Sequence, residues 1–276
     1  MRTLAELFLD EKNVDPKLIK EEIATIIEKA AKPRLFGREL VKIKKVSAPT
    51  FTFFRRTTKS FPVHKGKSGA NKPAAPDAER VKIDVSVDNY WVDLEWTEDM
   101  IDDKQFDLMA DDLEIASFSM ALQETQDIID GLIAGAGNTV AADSAGTLGP
   151  DDLADAVNRC EVDDYYPTTI LMHPDQAYDL KVNTDLVDSS YIGGSEIIRE
   201  GRLPIIQGLN VMVTRLISSG TALVLDPKWA AYLVMRQDLS MKNIEDPFRD
   251  IVGQRLKQRR GFAIRQPDAI CTITNC

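Results

Sequence analysis

The sequence predicts an α+β fold. Three observations carry that prediction: one long apolar stripe at helical spacing, from about Glu98 or Lys104 to Ile133; short alternating segments before and after it; and a stretch between 148 and 228 in which helix and strand patterns take turns. A chain of 276 residues lies near the upper end of what one hydrophobic core supports. Hydrophobic residues make up 43% and charged residues 28%, ordinary globular usage that excludes a fibrous repeat and global disorder.

No run approaches the ~20 apolar residues that a membrane helix needs. In the start Met1-Arg2-Thr3-Leu4-Ala5-Glu6 an acid stands where a secretory signal would carry its apolar stretch, so cytosolic synthesis is expected, and numbering from Met1 suggests that no long propeptide was removed. The three cysteines, Cys160, Cys271 and Cys276, are odd in number and lack CxxC spacing. Free thiols are expected rather than a disulfide framework or a zinc ribbon.

The first element is a helix over residues 16–31. Asp15 is its N-cap, Pro16 its first helical residue, and Ile19, Ile23, Ile26, Ile27 and Ala30 its apolar stripe. It reads as a helix packed within the fold in preference to a detachable one. From Leu40 to Tyr90 the pattern shifts to alternation at Val41 and Ile43, Phe51 and Phe53, and Val81, Ile83, Val85 and Val87, which predicts the strands of a long hairpin. Between them, residues 57–79 contain Pro62, Gly66, Gly69, Pro73 and Pro76 among lysines. So polar and broken a segment has no core of its own, and implies either disorder or a task outside the subunit.

Val92 to Trp96 alternates again. The long helix then places Phe106, Met109, Leu113, Ala116, Met120, Ile128, Ile129, Leu132 and Ile133 on its stripe and ends at Gly135-Ala136-Gly137-Asn138. Pro150-Asp151-Asp152 opens a second helix with Leu153, Val157 and Cys160 on one face; Thr168 to Met172 is a buried strand, and Pro174 opens a third helix. Further strands follow around Ile205 to Val213 and Thr221 to Leu225, and alternation over 230–274 requires pairing with earlier strands.

Catalytic motifs fail one by one. His64-Lys65-Gly66-Lys67-Ser68-Gly69 ends like a phosphate loop, but Phe61 stands where the first glycine belongs. His64 and His173 are too few for a histidine metal site, and His173 before Pro174 suits a hydrogen-bonded structural role. The acid pairs Asp102-Asp103, Asp111-Asp112, Asp151-Asp152 and Asp163-Asp164 could only be imagined as Mg²⁺ ligands, because neighbours on a helix point apart. Lys257-Gln258-Arg259-Arg260 lacks interleaved aromatics for nucleic-acid stacking, and Arg255, Lys257 and Arg259 share a strand face expected to meet acids on a neighbouring strand or subunit. No catalytic, cofactor-binding or metal residue is assigned.

The charge is unevenly placed. Residues 1–92 hold 19 Lys and Arg against 12 Asp and Glu, whereas residues 93–276 hold 15 against 32. A basic leading part and an acidic body attract each other, within a subunit or between subunits.

Pro167-Thr168-Thr169-Ile170-Leu171-Met172-His173-Pro174, a strand running into a helix after proline, is followed by Gly208-Leu209-Asn210-Val211-Met212-Val213. Next come Ala222-Leu223-Val224-Leu225-Asp226 and Lys228-Trp229-Ala230-Ala231-Tyr232, then Phe248-Arg249-Asp250, Arg259-Arg260-Gly261-Phe262-Ala263-Ile264 and Pro267-Asp268-Ala269-Ile270. In this order the motifs resemble the major capsid proteins of tailed phages with the Hong Kong 97 fold, a family that includes encapsulin shells and the herpesvirus shell floor. The resemblance covers nearly the whole chain. It implies an N-terminal arm (1–48), an extended hairpin loop with flanking strands (49–92), a peripheral domain with a spine helix (93–146), an axial α/β domain (147–228) and a return into the peripheral domain (229–276).

The function implied is a major capsid protein that self-assembles into an icosahedral shell around a viral double-stranded DNA genome, without cofactor, metal or membrane. Its partners would be copies of itself in hexamers and pentamers, packaged DNA through nonspecific contact, and portal, scaffold or cement proteins. It would be assembled in the host cytoplasm and reside in the virion capsid. The short arm implies a separate scaffold or none, and no residue matches the Lys–Asn crosslink of some members. Arg55, Arg56, Lys59, Lys65, Lys67 and Lys72 of the hairpin are the candidate intersubunit residues, since the hairpin of the family lies over a neighbour. An encapsulin-like compartment shell is the first alternative. An α/β enzyme of unknown activity, supported only by region 148–228, is the second.

Overall fold

A computed structural model describes residues 32–56, 80–97, 106–144, 146–183, 205–246 and 251–276. The helix expected at 16–31 and the segment 57–79 lie outside them.

A 3₁₀ segment, Lys32–Leu40, leads into β1 (Lys42–Lys45). The hairpin forms as expected from β2 (Thr50–Arg56) and β3 (Arg80–Ser86), which pair antiparallel from Thr50 opposite Ser86 to Arg56 opposite Arg80. β1 does not join it. Predicted as part of the same hairpin, it instead pairs in parallel with β10 (Ala231–Asp246), Lys42 opposite Tyr232. Its Lys-Ile-Lys-Lys sequence suits an edge strand, where charged side chains stay in water and discourage further pairing.

β4 (Asp88–Thr97) continues β3 after a single residue, and α1 (Phe106–Ala134) follows. At 1.5 Å per residue α1 is about 43 Å long. Its predicted stripe is the buried face: Leu113, Ala116, Met120, Ile128, Ile129 and Leu132 are all buried. Near its end Gly131 admits Phe262, since a Cβ there would stand 2.4 Å from the Phe262 ring. Only glycine lets the helix approach that strand so closely.

The chain continues through β5 (Asn138–Ala141), α2 (Pro150–Val162), β6 (Thr169–Met172) and α3 (Pro174–Val182). β7 (Ile205–Ile206) turns into β8 (Leu209–Val213) through Gln207 and Gly208, whose φ values of 50° and 81° define the primed two-residue turn that matches strand twist. β9 (Thr221–Leu225), β10, β11 (Ile251–Ile264) and β12 (Ile270–Thr274) complete the fold.

Two larger sheets result: one of four strands in the order β1-β10-β11-β4, and one of six in the order β5-β12-β9-β6-β8-β7. The last strand, inside the range 229–276, sits within the six-stranded sheet, parallel to β5 and antiparallel to β9. Its buried side chains alternate between two cores, Cys271 and Ile273 packing with Leu153 and Cys160 of α2 on one face and Ile270 with Ile128 and Ile129 of α1 on the other. β6 and β9 then divide their side chains by strand alternation. Ile170, Met172 and Val224 join Leu153, Cys160 and Leu180 of the helices in one core, whereas Leu171, Leu223 and Leu225 join Ile128, Ile129 and Leu132 of α1 in the other. The six-stranded sheet thus belongs to both cores.

Candidate functional site: an assembly surface

The root of the hairpin is aromatic. Phe51 and Phe53 stack on each other with ring centroids 6.0 Å apart, and both meet the edge of Tyr232 on β10, Phe53 at 5.3 Å. Phe54 stands in solvent, 61% exposed. Beside it lies a groove of about 250 Å³ lined by Phe53, Phe54, Arg55, Trp229, Tyr232 and Arg265, among others. The Arg265 guanidinium lies 3.9 Å over the Trp229 ring and 5.2 Å from that of Tyr232, and it donates to the Lys228 carbonyl at 2.9 Å. Lys44 approaches the Tyr232 ring at 5.8 Å. Cations over ring faces are favourable, and here they make the groove both apolar and positive.

Of the candidate hairpin residues, the structure brings Arg55 into this groove. Arg56 lies opposite Arg80 in the β2–β3 register, and Lys59, Lys65, Lys67 and Lys72 fall outside the described residues. Trp229, Tyr232 and Arg265 were not singled out from sequence as site residues. They are far from Arg55 along the chain, and no local pattern marks them.

A second polar cluster holds the layers together. Glu124 of α1, 1% exposed, accepts two hydrogen bonds from Arg38 of the 3₁₀ segment, the Nη2 contact being 3.0 Å. It also accepts from the Gln258 amide of β11, while Arg38 reaches Asp238 of β10 at 3.0 Å. Arg260, 3% exposed, donates to Asp127, stands 3.9 Å from Glu124 and lies 4.0 Å over the Tyr90 ring. Buried charges persist only when paired in this way, so the cluster fixes how the 3₁₀ segment, α1 and the four-stranded sheet dock.

Of the remaining sequence candidates, His64, Asp102 and Asp103 lie outside the described residues, and several of the others have structural partners. In each of two acid pairs the members diverge: Asp112 accepts from the Trp96 indole at 2.9 Å while Asp111 is exposed, and Asp152 accepts from the amides of Gly149 and Asp143 while Asp151 is exposed. His173 caps α3, its Nδ1 accepting from the Asp175 amide. Arg255 meets Asp93 directly across β11 and β4, with Nη2 2.7 Å from Oδ2, whereas Lys257 and Arg259 lie opposite Trp91 and Asn89. Among the described residues, no group of three His, Cys, Asp or Glu could hold a metal, and no helix is long and apolar enough to cross a membrane.

The three cysteines are free and buried. Burial pushes the Cys160 thiol up to about 12 and those of Cys271 and Cys276 up to about 11. They should therefore resist alkylation at pH 8 in the native subunit and react on unfolding, as mass spectrometry would read. Because each native value lies above the ordinary value of 9.0, the stability these thiols contribute is complete below pH 9 and lost as pH rises toward 11 to 12. Denaturant midpoints at pH 8 and 10.5 should differ in that direction.

The family model described as phage capsid protein matches residues 81–273, a span that runs from the hairpin's second strand to β12. The chain belongs to the phage capsid protein family. Solved structures share its fold. A structure described as Microbacterium phage Oxtober96 is 17% identical, with a TM-score of 0.66, covering 86% of this chain and 90% of that one. A structure described as the capsid of an empty GTA particle is 15% identical, with a TM-score of 0.70 and coverages of 87% and 89%. A virus-like particle from Pyrococcus furiosus is 14% identical, with a TM-score of 0.66 and coverages of 92% and 98%. No curated protein matches the chain.

The fold of this phage capsid protein is thus of the Hong Kong 97 type, with α1 as its long helix. It is a structural subunit of a virion capsid. Its chemistry is contact between subunits, and the aromatic, cationic groove is a described surface suited to it.

Proposed function

We propose that this protein is the major capsid protein of a tailed phage, assembling as hexamers and pentamers into an icosahedral shell around double-stranded DNA. The family match over residues 81–273 carries the reading. Arm 1–48, hairpin 49–92, peripheral domain 93–146, axial domain 147–228 and the return 229–276 are the functional divisions, although β12 pairs in the six-stranded sheet. Assembly takes place in the host cytoplasm without catalysis, and portal, scaffold or cement proteins join the shell. Electron microscopy of the purified chain should find closed shells or capsomer rings; light scattering that shows a 30.8 kDa monomer at every salt and concentration would sink the reading.

The likeness to the Pyrococcus furiosus particle supports a second reading, a compartment shell with protein cargo. The contents of particles made in cells separate the two: nucleic acid supports the virion, an enclosed enzyme the compartment.

Within the shell, Arg55, Arg56, Lys59, Lys65, Lys67 and Lys72 lie against the acidic surface of a neighbour. Each exposed pair contributes about 0 to 1 kcal/mol, but repetition around a closed shell multiplies the contacts. Deleting residues 63–76 should leave a folded subunit while lowering shell stability and its response to ionic strength. Equal disassembly midpoints and equal salt slopes for wild type and deletion would refute that role.

A further inference from the structure

α1 is apolar on two sides. On the inward side Leu113 and Ala116 pack with Trp96 and Leu256 of the four-stranded sheet. On the outward side Ile115 is 63% and Leu122 36% exposed, with half-buried Phe118 between them at helical steps of three and four residues. Single exposed apolar side chains are ordinary on a protein surface, but a row of them along a scaffold helix marks a contact. A helix apolar on both sides is a helix covered on both sides.

The chain enters beside this row. In the 3₁₀ segment Gly37 lies so close to α1 that a Cβ would stand 3.1 Å from the Thr125 Cα, and Arg38 is held by Glu124. Lys32 begins that segment, about 10 Å before Gly37 at the 3₁₀ rise of about 2 Å per residue. Along α1, Leu122, Phe118 and Ile115 lie about 4.5, 10.5 and 15 Å from Thr125. Residues 1–31, which lead into Lys32, lie outside the described residues; their sequence expects a helix over 16–31, about 24 Å long, with Ile19, Ile23, Ile26, Ile27 and Ala30 on one side. Such a stripe matches the row in character, exceeds it in length and is joined to the subunit within reach of it. We propose that residues 16–31 seat their isoleucine stripe on Ile115, Phe118 and Leu122 of α1 in the same chain. The short tether holds the segment at a high effective concentration, which favours it over the same stripe from a second copy or over a separate partner.

Cysteine crosslinking tests it, because the three native thiols are buried. A chain carrying Ile26→Cys and Leu122→Cys, treated with a short bismaleimide, should give an internal link, read by mass spectrometry as a single chain with both new thiols consumed by one reagent. A covalent dimer would put a neighbour's segment on the row and overturn the seat within the chain. No link of either kind would overturn the contact.

In a second measurement on the full chain, Ile115→Ser with Leu122→Ser should lower the thermal midpoint by about 5 °C, whereas polar replacements at uncovered surface sites are near neutral. Ile19→Ser with Ile23→Ser should lower it as well. All four together should cost no more than the larger pair alone, since each pair removes the same contact. An unchanged midpoint for either pair, or losses that simply add, would overturn the seat. Both measurements read contacts of the subunit, so their failure would leave the shell reading standing, and a chain that never assembles would leave the seat standing.

Discussion

Replacing Ile129 with alanine should destabilise the subunit by roughly 2 to 5 kcal/mol, the range for emptying a buried isoleucine site. Ile129 is fully buried in the core that α1 shares with Leu171, Leu223 and Leu225 of the six-stranded sheet and Leu233 of β10. Truncation there removes contact with both sheets at once. The helix cannot slide to fill the void, because Gly131 is already wedged against Phe262. Urea unfolding should show a lower midpoint with the slope unchanged. A loss below about 1 kcal/mol would mean that α1 is not held by this core.

Glu124→Ala should be of similar size, about 3 to 5 kcal/mol, for a different reason. The substitution creates only a small cavity, but it strips Arg38 of its buried partner, leaves the Gln258 amide without an acceptor and removes the second acid near Arg260. Asp238 and Asp127 still accept from the two arginines, which limits the loss. Replacing Arg38, Glu124 and Arg260 together with apolar residues of similar volume should cost less than Glu124→Ala alone, since no buried charge is then stranded. Unfolding free energies for the two variants decide the matter. If the triple replacement is the worse, the cluster contributes net stability rather than docking specificity.

Much of the architecture was legible along the chain, because the periods that determine it are local. The 3.6-residue stripe of α1, the proline starts of α2 and α3, and the alternation of β2 and β3 each follow from neighbouring residues, and the motif order from Pro167 to Ile270 led to the capsid family that the match over 81–273 shows. Partner choice was not legible. β1 alternates like a hairpin strand, yet lies beside β10, about 190 residues away, and β12 leaves β11 for the other sheet. Strand pattern specifies which face is buried, not which edge is met. For the same reason the sequence by itself determined the fold class, the free thiols and the placement of charge along the chain. Only the tertiary structure decided that Arg55 shares a groove with Trp229 and Arg265, and that Arg38, Glu124 and Arg260 form one buried cluster, because such sites arise where distant segments are brought together by the burial of their neighbours.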